Sequence, residues 1–348
     1  MWGKEKRSGQ PAMTAVNRAN MISKIIFVVW LISFVFASTH SAQAQQPTRK
    51  PLIGVLVAGS PSSMESRINA FQKRLRELGY KEGQNIVVEY HYAEGNYNRL
   101  TAIATDLVRS NANVIVTWAI PVTQVVKNAT NTIPIVMAGG GNPVETGLVE
   151  SLAKPGGNIT GLATIQNELT GKRLELLKEA VPKISRVAMV FNPEGQVPTQ
   201  SYEPLKGIAQ SLKISLEPLE IRKPNEIDKA FAAIPKSRVD ALILESDPVF
   251  NTNRQKVIAL TVKNRLPAMY PERRWAEDGG MMAYGTDLIE VASRAAIFVD
   301  KILKGAKPAD LPVEQPTKFE LAINLKTAKQ IGVTIPQSVL FRADRVIK

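Results

Sequence analysis

A pattern that occurs twice constrains this chain more than anything else in it. Asn113–Val122 reads NVIVTWAIPV and Asp240–Val249 reads DALILESDPV, with Pro-Val at the same place 127 residues later. Ile133–Met137 (IPIVM) is echoed by Leu266–Tyr270 (LPAMY), and Ile53–Gly59 (IGVLVAG) by Val187–Pro193 (VAMVFNP). One such echo is weak, because buried parallel strands resemble one another. Three in the same order and at nearly the same spacing predict two similar α/β lobes.

The segments around the echoes supply the helices. Ile53–Ala58 is too short for a helix and is closed by Gly59-Ser60-Pro61, so it reads as a buried strand. Ser62–Leu78 follows with Ile68, Phe71, Leu75 and Leu78 on one helical face, stopped at Gly79. Further strands are expected at Asn85–Tyr90, Val114–Thr117, Ile133–Ala138, Val187–Phe191, Ile214–Ile221, Ala241–Leu244, Ala268–Tyr270, Met281–Tyr284 and Phe319–Asn324. Between them fall helices at Tyr97–Ser110, Tyr202–Leu212, Asn225–Ile234, Thr252–Arg265, Asp287–Lys304 and Leu325–Gly332. Strands alternating with amphipathic helices mean parallel sheets joined by right-handed crossovers. The proline-spaced Lys307–Pro316 suits an extended passage between lobes.

Ahead of this lies Met1–Ala44, which reads as a secretory leader. Lys4, Lys6, Arg7, Arg18 and Lys24 precede the uncharged run Ile25–Ala37, and Ala42-Gln43-Ala44 supplies a small-x-small cleavage pattern. The run is shorter than the roughly 20 apolar residues a spanning helix needs.

Composition narrows the chemistry. The 348 residues contain no Cys and two His, one of them (His40) in the leader. Thiol catalysis, thiolate metal sites and a multi-histidine metal centre are therefore excluded, and a Ser–His–Asp triad would have to use His91 alone. The net charge is +13, but basic residues are interspersed with acids and the tight pairs are as short as Arg273-Arg274, so a nucleic-acid footprint is not indicated. Gly139–Gly141 lacks the spacing of a dinucleotide loop, and no Walker sequence occurs, so neither a nucleotide nor another cofactor is expected.

Ligands of open parallel sheets bind beyond the carboxyl ends of the strands. That rule selects six loops: Gly59–Ser63, Trp118–Pro121, Gly139–Pro143, Asn192–Gly195, Glu245–Pro248 and Tyr284–Asp287. Helix-start amides there suit an anionic group, while Asp247 or Asp287 suits an ammonium; the competing reading is that Ser62, Asn142 and Asp287 only cap helices. Trp118, Tyr270, Trp275 and Tyr284 lie at or just past strand ends, where they would form either ligand walls or core.

Several runs carry a resemblance: Gly95–Leu100 (GNYNRL), Pro143–Val149 (PVETGLV), Lys154–Gly161 (KPGGNITG), Lys172–Leu177 (KRLELL), Gly279–Gly285 (GGMMAYG) and Lys304–Ile323 (KGAKPADLPVEQPTKFELAI). Together they resemble the ABC-transporter substrate-binding family that includes tryptophan- and tyrosine-uptake binding proteins, over essentially all of the chain after the leader. The resemblance implies a type I periplasmic-binding fold: two Rossmann-like α/β lobes with parallel sheets and three chain crossings, near Thr164–Glu168, Gly285–Leu288 and Leu311–Glu314. It divides the chain into a leader (1–44), a first lobe (45–165 and 286–312) and a second lobe (166–285 and 313–348). It also implies a ligand clamp formed by Ser60, Trp118, Ala119 and Asn142 from the first lobe, and by Asn192, Asp247, Tyr284 and Gly285 from the second. Trp118 stands where a small residue is usual in the family and Asn142 where Asp is frequent. The implied activity is periplasmic binding of a small solute, an amino acid or related compound, without turnover. The implied partners are that solute and a membrane permease, with no nucleic acid, and a monomer is expected. A secreted α/β enzyme and a sensory subunit of a membrane receptor are the competing readings.

Overall fold

In the computed structural model of the protein, residues 2–3, 49–164, 166–194 and 199–348 are described. The leader reading lies outside them apart from Trp2 and Gly3. The chain from Lys50 onward is organised on two sheets. The first contains β1 (Leu52–Val57), β2 (Val87–Tyr92), β3 (Val114–Trp118), β4 (Ile135–Ala138) and β5 (Ile159–Leu162), in the order β2-β1-β3-β4-β5 and parallel throughout. Helices α1 (Pro61–Glu77), α2 (Leu100–Arg109) and α3 (Ile120–Ala129) make its crossovers.

The second sheet repeats the plan. Its parallel part is β6 (Arg186–Phe191), β7 (Ser215–Glu220), β8 (Ala241–Leu244), β9 (Ala268–Tyr270) and β10 (Met282–Thr286), in the order β7-β6-β8-β9-β10. Each strand thus has a counterpart at the same place in the first sheet, and the sequence echoes fall on the pairs β1/β6, β3/β8 and β4/β9. Two strands extend this sheet beyond the repeat: β11 (Phe319–Asn324), antiparallel to β10, and β12 (Arg345–Ile347), parallel to β11. Around it run α4 (Gln166–Ala180), α5 (Thr199–Ser211), α6 (Ile227–Ser237), α7 (Pro248–Thr252), α8 (Arg254–Lys263) and α9 (Arg273–Glu277). After β10 the chain returns to the first sheet as α10 (Leu288–Leu303), then closes the second with α11 (Leu325–Gln330) and α12 (Gln337–Leu340).

Each sheet is buried on both faces, as parallel sheets require. On one face of the first, Ile53, Val55, Val114 and Val116 pack against Ile68, Phe71 and Leu75 of α1 and against Ala292, Ala295 and Val299 of α10. On the other, Leu56, Ile115 and Met137 meet Leu100, Ala104 and Leu107 of α2 and Val122 and Val126 of α3. The second sheet buries Val187, Met189 and Ile243 under Leu174 and Leu177 of α4, and Val190, Leu242 and Leu244 under Phe231, Phe250 and Val257. Asp287 caps α10 by accepting from the Ile289 and Glu290 amides at 3.0 and 3.1 Å. The cap of α1 is Ser60 rather than Ser62, with Ser63 completing a capping box.

The third passage between sheets differs from expectation. Leu311–Glu314 still belongs to the first sheet: Thr160 Oγ1 donates to the Leu311 carbonyl at 2.7 Å, the Ala163 amide donates to Glu314 O at 2.8 Å, and Glu314 bridges to Leu162. Val313 is buried in the same core, so the chain leaves the first sheet only after Glu314. The paired backbone extends the edge of β5, which a proline-spaced sequence does not advertise.

Candidate functional site

The carboxyl ends of the two parallel sheets face each other across a cleft, and their loops enclose a cavity of about 70 Å³. The first sheet supplies the apolar wall: Val57, Ala58 and Gly59 at the end of β1, Trp118 and Ala119 at the end of β3, and Ala138, Gly139 and Gly140 at the end of β4. Ser63, Met64 and Arg67 enter from α1, Thr164 from beyond β5, and Leu288 from the start of α10. The second sheet contributes Ser246, Pro248 and Asn251.

Local physics explains how these residues reach the cavity. Gly139, Gly140 and Gly141 have φ of +93°, +125° and +90°, conformations in which glycine is favoured. Their turn presents two amides to Thr164 Oγ1, which accepts from Gly140 N at 3.1 Å and Gly141 N at 2.8 Å. Ala119 caps α3 at φ +88° and ψ +141° with no side-chain hydrogen bond to the helix, a strained geometry for a residue with a Cβ. Trp118 is buried, packs edge-on against Phe71 with ring centroids 6.1 Å apart, and has an indole N–H without a hydrogen-bond partner among the described residues.

Charged side chains reach the cleft from both lobes, Arg67 from the first and Asp247, Glu272 and Arg274 from the second. Asp247, 3% exposed, caps α7 by accepting from the Val249 amide at 2.8 Å. Asn192 Nδ2 donates to its Oδ1 at 3.3 Å, and the Tyr97 hydroxyl, from the first lobe, donates to its Oδ2 at 3.0 Å. Burial pushes the Asp247 carboxyl above its usual range, against the opposing pull of these three donors. Burial also raises Tyr97 well above the ordinary phenol, with the Asp247 charge adding to it, so the hydroxyl stays a donor. A second contact across the cleft joins the Arg67 guanidinium to Glu272 Oε2. A third is made by Arg274, whose Nη1 donates to Ser66 Oγ at 3.2 Å. Behind them Glu245, buried next to Asp247, accepts from Thr170 Oγ1 at 2.7 Å and lies 3.7 Å from Arg173.

Of the eight residues named from the sequence, the structure brings Trp118 and Ala119 onto the cavity wall. Ser60 lies one residue beyond it, occupied in capping α1. Asn192 and Asp247 stand together behind Ser246 and Pro248, bonded to each other. Asn142 folds into its own turn, accepting from the Val144 amide at 3.1 Å and donating to Glu145 at 2.9 Å. The Tyr284 ring lies 6.3 Å from Phe319, and its carbonyl accepts from Arg173 Nε at 2.7 Å. Gly285 packs so closely that a Cβ would strike the Pro271 carbonyl oxygen. Tyr270 and Trp275 stack on each other in the core, 4.9 Å apart and 10° from parallel, so the ring at the cavity is Trp118.

The sequence reading did not single out Arg67, Thr164, Asn251 or Glu272. Arg67 sits on the patterned helix α1 and could have been found by asking which polar positions of its first two turns project past the end of β1. Among the described residues no group of three or more His, Asp or Glu could hold a metal ion.

Comparison with known proteins gives this geometry its context. A tyrosine-binding protein from Clostridioides difficile is 26% identical over 281 residues, which is 81% of each chain. The solved structure of a conserved domain protein from Vibrio cholerae superposes with a TM-score of 0.80 at 28% identity, covering 86% of this chain and all of the other. An ABC domain in complex with L-Trp from Streptococcus pneumonia superposes with a TM-score of 0.77 at 27% identity, covering 85% of this chain and all of that one. The two-lobed architecture is the type I periplasmic-binding fold, which more distant solute-binding proteins share. The family model described as ABC transporter substrate binding protein matches residues 52–347, and with so much of the chain covered, the protein belongs to that family: it is a solute-binding component of an ABC transporter and not an enzyme.

Proposed function

We propose that the protein captures an amino acid with an aromatic side chain in the cleft and delivers it, unchanged, to an ABC permease. One observation carries this reading: the cavity joins a buried indole wall at Trp118 to polar groups on both lobes, Arg67 and Thr164 on one side and Ser246 and Asn251 on the other. A flat apolar body with a polar head group suits such a lining. Its relatives point the same way, one named for tyrosine binding and one solved with L-Trp.

The mechanism is hinge closure. The three passages of chain between the sheets let the lobes separate, and the solute, by touching both, favours the closed arrangement by its differential affinity. Tyr97–Asp247 then joins the lobes beside it. In this reading Ser60, Asn142, Asn192, Tyr284 and Gly285 shape the loops around the clamp, and Asp247 holds α7 and Tyr97 in place. The leader over residues 1–44 would deliver the protein to the periplasm as a monomer.

Isothermal titration of the mature chain with L-tyrosine and L-tryptophan, followed by mass spectrometry of the recovered solute, tests the proposal. Saturable binding of either with the solute recovered intact is expected. Conversion of the solute, or binding confined to compounds that are not amino acids, would overturn it.

A further inference from the structure

Arg67 and Glu272 stand in an unusual place. Their side chains are only 13% and 10% exposed, they come from different lobes, and they pair directly. Arg67 lines the inner cavity and also lines a neighbouring groove of about 270 Å³, whose wall includes Glu272. The pair is therefore a partition between two spaces. The inner space, about 70 Å³, is far below the roughly 150 Å³ cavity that admits a benzene ring. An aromatic amino acid thus needs space beyond the inner cavity, and the partition is where the two spaces meet.

We infer that Arg67 and Glu272 together form the head-group selector of the site: a zwitterion splits the pair, its carboxylate taking Arg67 and its ammonium taking Glu272. The inference rests on the amino-acid reading above and deepens it. Removing one partner from a nearly buried ion pair leaves an uncompensated charge. A solute with one charge that opens the partition neutralises one partner and strands the other; a zwitterion neutralises both. Among the described residues the other charged groups near the pair are largely engaged, Asp287 capping α10 through Oδ1. Besides Glu272, Arg67 donates to Met64 Sδ at 3.6 Å, a weak acceptor, so its fork has N–H groups to spare. Glu272 otherwise accepts from Ser246 Oγ, at 3.4 Å. Arg273 is taken up by Glu320 and Glu277, and Arg274 reaches Ser66 and Asp278. Asp247 already has three donors.

The test compares L-tryptophan with its two half-charged relatives, tryptamine and indole-3-propionate, by titration calorimetry on the wild type, Arg67→Gln, Glu272→Gln and the double variant, each checked for a cooperative melt. L-tyrosine, tyramine and 4-hydroxyphenylpropionate form a parallel set. The wild type should prefer the zwitterion over either relative by roughly 10- to 100-fold. Arg67→Gln should shift selectivity toward the amine and Glu272→Gln toward the acid, while the double variant should lose most of the discrimination. Opposite shifts are a signature that a merely structural pair would not give. Parallel losses for all three solutes, or no change, would overturn the inference while leaving the amino-acid reading intact. Wild-type preference for a different zwitterionic amino acid, with the crossed shifts kept, would instead refute the aromatic assignment and support the selector. Failure of every zwitterion to bind would overturn both.

Discussion

The turn from β3 into α3 and the turn from β8 into α7 occupy the same position in the two lobes, yet their contents are opposite. Trp118-Ala119-Ile120-Pro121-Val122 corresponds to Glu245-Ser246-Asp247-Pro248-Val249. The shared part is structural: Val122 and Val249 are both fully buried, and a proline occupies the first turn of each helix. Everything else diverges. The first-lobe turn has no charged side chain, leaves its helix uncapped and places an indole at the cavity. The second-lobe turn buries two carboxylates and satisfies them with Arg173, Thr170, Asn192, Tyr97 and the Val249 amide. Topology fixes where a ligand loop lies; the side chains decide that of these two turns one supplies shape and the other supplies charge.

The largest expected effect follows from the charged half. Arg173 is fully buried and Glu245 is 2% exposed. The guanidinium also donates to the Tyr284 carbonyl and reaches the Pro271 carbonyl, tying α4 to the ends of β9 and β10. Arg173→Met strands the Glu245 charge and should cost about 3–5 kcal/mol of stability, read from urea unfolding. A loss below 1 kcal/mol would show that the second-lobe charges are not held as a set and would break the contrast.

How much of this was legible from residues alone depended on the range of the signal. Apolar spacing located both sheets and, through the echoes, their shared order, because burial on both faces leaves continuous runs such as Ile53–Ala58. β5 was not anticipated: its four residues contain Gly161, at φ +124°, where a Cβ would collide with the backbone of Met137. The short α9 was missed for want of a repeating apolar face. At the site, Trp118 and Ala119 were found because they follow a strand directly. Arg67 and Glu272 were not, since each alone resembles a solvated charge on a helix or loop. They become a pair only when residues 205 positions apart meet across the cleft.

A smaller effect tests whether the two halves communicate. Tyr97→Phe removes the first-lobe donor from Asp247 while leaving Asn192 and the Val249 amide in place. The closed arrangement should weaken by about 1–2 kcal/mol, seen as a larger radius of gyration in solution scattering of the solute-free protein. The pH dependence has a definite sign. Burial raises Asp247 above its unfolded value, so its contribution to stability is fully present below the unfolded pKa and is lost as pH rises through the folded one. Asp247→Asn removes that loss. Its stability relative to the wild type should therefore be greater at neutral pH than at about pH 4, near the ordinary Asp value. The opposite slope would mean that the donors outweigh burial, which would move Asp247 from a strained cap to a stabilising one.

The smallest expected effect lies in the uncharged half. Ala119 holds φ +88° and ψ +141° at the head of α3, where a Cβ is unfavourable, and the residue lines the ligand cavity. Strain of this kind costs roughly 1–3 kcal/mol, while a glycine in its place loses about 0.5–1 kcal/mol more backbone entropy on folding. Ala119→Gly should thus raise stability by about 1 kcal/mol, measured by chemical unfolding. Titration with L-tryptophan should show weaker binding in the same variant, because a missing methyl widens the wall and the loop becomes freer to move. A variant more stable yet unchanged in affinity would mean that Ala119 contributes nothing to the shape of the wall. The uncharged half would then owe its role to Trp118 alone, and the strain at Ala119 would have no counterpart in solute recognition.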